Sequence, residues 1–197
     1  EVYYQIARTG FLKNGLRAWQ DWRTSLIMAK TLESFAPDII EFIDIHSNGY
    51  AYLRRHPKEK RQAKVIVRSH TPWGLLRTSY PTDEIKNTDG WWAKQRENYC
   101  FHYCDAITTP SQDLKQQLIK LYQLPSEKIT VLPNIVDTDH FKPMVNDHND
   151  QLFNVLHVGR FERAKGAITI TRAFIESAKE NPNMRLIHVG LSRGSAY

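Results

Sequence analysis

The sequence predicts an α/β protein with two parallel sheets, the second of them incomplete. Three observations lead there. Short β-branched runs alternate with helical periodicities along most of the chain, the pattern of parallel strands joined by helices. A strand–loop–helix–strand unit occupies Phe153 to Val189, and such a unit is expected to have a right-handed crossover and parallel strands. Between these regions, residues 134 to 151 lose their periodicity and hold several Asn and Asp with Pro143, as a connection between domains does. The expected division is a first domain over 1–136, a connection over 137–151 and the start of a second domain over 152–197. One βαβ unit cannot cover both faces of a parallel sheet, so the second domain reads as truncated.

Along the chain, apolar residues recur at helical spacing from Leu16 to Phe35, and Pro37 stops the run. Ile39-Ile40-Glu41-Phe42-Ile43 reads as a short buried strand, followed by a polar turn at Ser47-Asn48-Gly49 and a short helix. Val65-Ile66-Val67 is the next strand, and the Thr-, Pro-, Gly- and Ser-bearing stretch from His70 to about Gly90 reads as loop. Trp91 to Cys104 has helical character, and Ala106-Ile107-Thr108-Thr109 is a strand closed by Pro110. Ser111 can cap a helix whose Leu114, Leu118 and Leu121 fall at i, i+4 and i+7. Ile129-Thr130-Val131-Leu132 is a strand stopped by Pro133. Past the connection, Phe153 to Val158 is a strand and Ala167 to Glu180 an amphipathic helix with Ile170, Ala173, Phe174 and Ala178 on one stripe. Asn181-Pro182-Asn183 turns the chain into a last strand, Met184 to Val189.

Composition narrows the class. With 41% hydrophobic and 24% charged residues, the 197-residue chain is neither disordered nor collagen-like. No apolar run approaches the ~18 residues of a membrane span, and two cysteines cannot build a disulfide framework. The net charge of +6 suits an anionic partner such as nucleic acid, anionic lipid or a phosphorylated small molecule. The surplus is concentrated in Arg54, Arg55, Lys58, Lys60, Arg61, Lys64 and Arg68, interrupted by one acid, Glu59. This run reads as a solvated helix end entering a surface loop, or as a surface for lipid headgroups or polyphosphate.

The sharpest motif is Gly159-Arg160-Phe161-Glu162-Arg163-Ala164-Lys165-Gly166. It lies beyond the carboxyl end of a strand, where open parallel sheets bind ligands, and it opens a helix whose N-terminal amides favour an anion. Its glycines allow close backbone approach, while Arg160 and Lys165 bring two full charges for a phosphate or pyrophosphate. It is neither a Gly-x-Gly-x-x-Gly fingerprint nor a Walker loop. By position alone, Arg160 and Lys165 also read as ordinary loop charges. Cys100 and Cys104 would share a helix face while His102 points elsewhere, so they read as buried reduced thiols, and no metal site is expected. Trp91, Trp92, Tyr99, Phe101 and Tyr103 read as core rather than as a stacking platform.

The runs Val155-Leu156-His157-Val158-Gly159-Arg160, Lys165-Gly166 and Leu186-Ile187-His188-Val189-Gly190 resemble the donor-side domain of retaining family-4 glycosyltransferases of the GT-B fold. Ala106-Ile107-Thr108-Thr109-Pro110-Ser111 resembles the strand and Pro-Ser turn near the end of that family's first domain. Pro133-Asn134-Ile135-Val136-Asp137, followed by Phe141-Lys142-Pro143, resembles its interdomain segment. The matches run over roughly residues 37 to 190 in the family's order.

The resemblance implies an α/β, GT-B-like fold of two Rossmann-like domains, the second truncated. It also implies transfer of a sugar from a nucleotide-diphosphate-sugar to a sugar, lipid-linked or polysaccharide acceptor, with retained configuration. The nucleotide sugar would be a co-substrate, and neither cofactor nor metal is expected. By the same resemblance, Arg160 and Lys165 hold the donor diphosphate, with Gly159 against the donor and Gly166 completing the loop. His70 would face the reacting sugar and is the catalytic candidate, while Thr71, Trp73 and Arg77 in the next loop are candidates for an acceptor pocket. Asn134 and Asp137 are expected to fix the interdomain turn.

Ile135 stands at the family's usual glycine, where a left-handed conformation would strain a β-branched residue. The family's later Glu-x7-Glu segment has no counterpart after Gly190, and its first-strand glycine-rich loop does not occur, so the chain reads as a central piece of a longer enzyme, inactive alone. The expected location is cytoplasmic, with peripheral contact at the inner membrane face through Arg54–Arg68. Two other readings are an inactive relic of the same fold and a basic nucleic-acid-binding module. The second has the charge but no zinc finger, RNP-type strand or helix-turn-helix signature, so no nucleic-acid partner is expected.

Overall fold

The structure, a computed structural model, describes residues 15–79, 88–142, 152–161 and 165–191. The chain divides between Val136 and Asp137 into two compact units.

The first unit runs α1 (Leu16–Phe35), β1 (Ile39–Ile43), α2 (Tyr50–Arg55), β2 (Lys64–Arg68), α3 (Trp73–Ser79), α4 (Thr88–Tyr103), β3 (Ala106–Thr109), α5 (Gln112–Tyr122) and β4 (Ile129–Val131). Its four strands are parallel in the order β1-β2-β3-β4. Side chains alternate along a strand, so the register Phe42↔Val67, Val67↔Ile107 and Ile107↔Ile129 puts these four residues in one row. All four are buried, and Leu53, Phe101 and Leu118 from the helices complete the same core. Ser111 caps α5, its hydroxyl accepting from Leu114 N at 3.2 Å.

Several expectations are corrected. The stretch from His70 to Gly90 is not all loop: α3 forms there, and α4 begins at Thr88 rather than Trp91. The carboxylate of Glu97, more than twenty residues away, accepts from Trp73 N and Gly74 N and so stabilises the start of α3. β1 is buried on one face only, with Ile39 64% and Ile43 49% exposed. Among the aromatics of α4, Phe101 is core, but Trp91, Trp92 and Tyr103 are about half exposed. The long helix α1 turns Ser25 and Ala29 inward and leaves Trp19, Trp22, Ile27 and Phe35 outward. Ser25 faces inward because its hydroxyl donates to Asn48 O at 2.9 Å and accepts from Ala51 N at 2.7 Å. Ile135 avoids the left-handed region, which among the described non-glycine residues is taken by Ala36, His46, Ser47 and Gln123. Cys100 and Cys104 are buried free thiols whose ionisation burial pushes up, Cys104 to about 11.

In the second unit, β5 (Phe153–Val158) and β6 (Met184–Val189) pair in parallel, connected by α6 (Ala167–Glu180). Thr171 of α6 reaches His188 of β6, so the helix lies on that face of the pair. Leu156, Val158 and Val189 are 60%, 71% and 51% exposed. One βαβ unit therefore covers one sheet face.

Candidate functional site

The carboxyl ends of β1 and β2 hold a cluster of polar groups. β1 runs into Asp44, Ile45, His46 and Ser47, and both His46 (φ 61°) and Ser47 (φ 51°) are left-handed. Such a conformation costs a side-chain-bearing residue about 1 kcal/mol or more. Asp44 is buried, and its Oδ2 accepts from Ser69 Oγ at 2.8 Å, His70 N at 3.0 Å and Thr71 N at 3.1 Å. Burial pushes its carboxyl above the usual range, against the pull of these donors.

One carboxylate thus fixes the turn that carries His70. The ring of His70 is exposed, and its Nε2 accepts from Arg68 Nε at 2.9 Å. A guanidinium can only donate, so the neutral ring keeps its proton on Nδ1. Arg68 in turn donates from Nη2 to Asn134 Oδ1 at 3.2 Å. Asn134 therefore tethers Arg68, whereas Asp137 turns its own segment by accepting from Asp139 N and His140 N.

Beyond this turn, Glu97 is almost fully buried and receives Trp73 N at 2.6 Å, Gly74 N at 3.0 Å and the hydroxyl of Tyr122. Burial pushes its carboxyl up to about 7. Trp73 also donates from Nε1 to Gly90 O at 3.0 Å, and the Arg17 guanidinium stands 5.6 Å from its ring centroid. A cavity of about 100 Å³ opens here, lined in part by Arg17, Asp44, His46, Thr71, Trp73 and Glu97. His46 Nδ1 lies 3.2 Å from Asp21 Oδ1, and Arg96 pairs with Asp21 Oδ2 at 3.0 Å.

Thr71 and Trp73 therefore meet at one cavity with residues that sequence reading passed over: Asp21, Asp44, His46 and Glu97. Position at a strand's carboxyl end was the available signal for Asp44 and His46. Arg77 falls within α3, and its side chain is outside the described residues.

In the second unit, Gly159, Arg160, Lys165 and Gly166 sit between the end of β5 and the start of α6, and Glu162, Arg163 and Ala164 lie outside the described residues. Gly159 N donates to Val189 O at 2.9 Å, and a Cβ on Gly190 would collide with the Gly159 carbonyl, so only glycine permits this approach of the strand ends. Gly166 is left-handed (φ 73°), and its carbonyl accepts from Ile170 N in the first turn of α6. Lys165 begins beside Gly159: a Cβ built there would lie 3.5 Å from Lys165 Cβ.

The basic run is not one solvated face. The Arg61 side chain is buried and pairs with Asp105 Oδ2 at 2.7 Å, while Arg55 pairs with Glu33 at 3.2 Å. Burial pushes the Asp105 carboxyl up, but the Val65 amide and the Arg61 guanidinium outweigh it and hold it low. Among the described residues, no group of three or more His, Cys, Asp or Glu could hold a metal ion, and no helix is long and apolar enough to cross a membrane.

Among known proteins, the family model for Glycosyltransferase Family 4 matches residues 2–140. The catalytic domain of starch synthase IV from Arabidopsis thaliana, solved with ADP and acarbose, is similar at 14% identity and a TM-score of 0.55, over 86% of this chain and 45% of that one. A glycosyltransferase from Rickettsia africae ESF-5 is similar at 13% and 0.47, over 86% and 51%. S. aureus MnaA, in a co-structure with UDP, is similar at 15% and 0.47, over 85% and 44%. The chain spans about half the length of these structures. No curated protein matches it. At 14% identity the likeness to starch synthase IV speaks for fold alone, and that fold is the α/β GT-B fold in part.

Proposed function

This chain belongs to Glycosyltransferase Family 4, and on that premise we propose that it serves to move a sugar from a nucleotide-diphosphate donor to an acceptor, with retained configuration and without a metal. The donor acts as co-substrate and no cofactor takes part. In this reaction the bond from the anomeric carbon to the diphosphate breaks with its electron pair going to phosphate. The acceptor oxygen bonds to that carbon on the same face, and the acceptor hydroxyl passes its proton to the departing diphosphate. Arg160 and Lys165 stabilise the growing charge on the leaving diphosphate, the kind of electrostatic help that requires no paired carboxylates. Gly159 and Gly166 keep the backbone close to it. His70 attends the reacting sugar, and Thr71, Trp73 and Arg77 shape the acceptor side.

The observation that supports this most is the turn bearing His70 after β2, fixed by the buried carboxylate of Asp44 from the end of β1. That starch synthase IV was solved with ADP suggests the donor's chemical class. Residues 1–197 alone should be inactive, since no Glu-x7-Glu segment follows Gly190 in them. Peripheral contact with an anionic, cytoplasmic membrane face falls to Arg54, Lys58, Lys60 and Lys64, the exposed part of the basic run apart from Arg55, which pairs with Glu33. In the full-length protein, assayed with a panel of nucleotide sugars, His70→Ala should lower kcat/KM by about 100-fold or more. Undiminished transfer by that variant would remove His70 from the mechanism.

A further inference from the structure

Two histidines of the second unit have no part in the reading above. Parallel register sets His157 of β5 opposite His188 of β6, and both rings are half-buried. His157 Nε2 lies 2.9 Å from the Lys165 carbonyl oxygen. His157 Nδ1 lies 3.2 Å from His188 Nδ1, and His188 Nε2 lies 3.2 Å from Thr171 Oγ1 on α6. The Phe161 ring stands 4.9 Å from that of His188.

Hydrogen counting orders this chain. A carbonyl can only accept, so His157 carries its hydrogen on Nε2, and its Nδ1 is bare in the neutral ring. Two nitrogens 3.2 Å apart require a hydrogen on one of them, which His188 Nδ1 must supply. A neutral His188 is then bare at Nε2 and accepts from the Thr171 hydroxyl. Two further arrangements keep every contact, both with the Thr171 hydroxyl turned to the Ala167 carbonyl, 2.8 Å away: a proton added to His188, or one added to His157 Nδ1 and donated to a His188 whose hydrogen sits on Nε2. In all three His157 donates from Nε2 to Lys165.

We propose that His157, braced by His188 and Thr171, is a positioning residue for Lys165: the Thr171–His188–His157 relay fixes the Lys165 backbone from which its ammonium meets an anion. The contact bridges β5 to the residue just before the left-handed Gly166, where α6 begins, so it sets where the loop ends. The consequence for ligand binding rests on the proposed diphosphate role of this loop, whereas the relay itself stands on the distances.

Long-range ¹⁵N spectra of the full chain at neutral pH test the relay. A His157 ring protonated at Nε2 and bare at Nδ1 is expected, and the opposite tautomer overturns the proposal. His157→Phe should raise amide exchange at Gly166 and the first turn of α6 by about fivefold, as loss of one hydrogen bond would. His157→Gln, whose amide can still donate to the carbonyl, should restore it to within about twofold. Equal exchange in His157→Phe and the parent chain overturns the proposal. Should His157→Phe not fold, His188→Phe removes only the brace, and exchange unchanged by that variant overturns the relay. Inorganic pyrophosphate is the ligand probe, expected to bind about fivefold more weakly to His157→Phe and normally to His157→Gln. If tautomer and exchange behave as expected but the parent chain takes no pyrophosphate, positioning stands and the diphosphate reading fails.

Discussion

Asp44 and Glu97 are the side chains on which the first unit's site depends. Each is a buried carboxylate that accepts backbone N–H groups from a turn far away in sequence, Ser69–Thr71 for one and Trp73–Gly74 for the other. Asp44→Ala leaves two amides and the Ser69 hydroxyl without their acceptor and should cost about 3 kcal/mol in urea unfolding. A loss below about 0.5 kcal/mol would show that water replaces the carboxylate readily. Glu97 links the same turn to pH. Its carboxyl is held up to about 7 in the folded chain, against about 4.3 when unfolded. The folded state therefore binds more protons across that window, so stability falls as pH rises through it and levels off above. Asp44, also pushed up by burial, acts in the same direction. Glu97→Gln should make the fall between pH 5 and 7 shallower by about 2 kcal/mol. Unfolding curves with the same pH slope in both proteins would contradict this.

At the scale of elements, the strands and long helices were legible because their signal is local. Val65–Val67, Ala106–Thr109 and Phe153–Val158 carry β-branched or alternating apolar residues; the proline after Thr109 ends β3 where expected, while β4 stops at Val131, one residue short of Leu132. Ser111 announces α5 by its cap. α3 was missed because its start depends on Glu97, which no local window contains, and because Gly74 weakens the helical pattern. The exposure of Trp91, Trp92 and Tyr103 was missed for a related reason, since side-chain hydrophobicity does not say which helix face meets a sheet. Among the candidate residues, His70 in the first unit and the 159–166 loop in the second carry motif signals in the sequence. Asp44, His46 and Asp21 do not, because their importance comes from partners that only the fold assembles. Gly190 tests the crossing of β5 and β6: Gly190→Ala should destabilise the second unit by more than about 2 kcal/mol, with amide shift changes confined to residues after Asp137. Unchanged shifts at Gly159 would refute that close approach.

For the whole molecule, the two units differ in how much apolar surface they enclose. The first has a continuous core from Ala29 to Ile129, while the second leaves one sheet face open at Leu156, Val158 and Val189. The β5 and β6 amides should therefore exchange faster than those of β2 and β3 in hydrogen-exchange measurements, and equal protection would contradict the difference in cover. The central claim, that Lys165 and Arg160 hold a nucleotide diphosphate, is tested most directly by calorimetry on the full-length protein with ADP, UDP and GDP in turn. At least one should bind, and Lys165→Ala should weaken it by about 1.5–3 kcal/mol, the loss of one charged hydrogen bond. Binding of equal strength in Lys165→Ala and the parent protein, or no binding to any of the three, would contradict it.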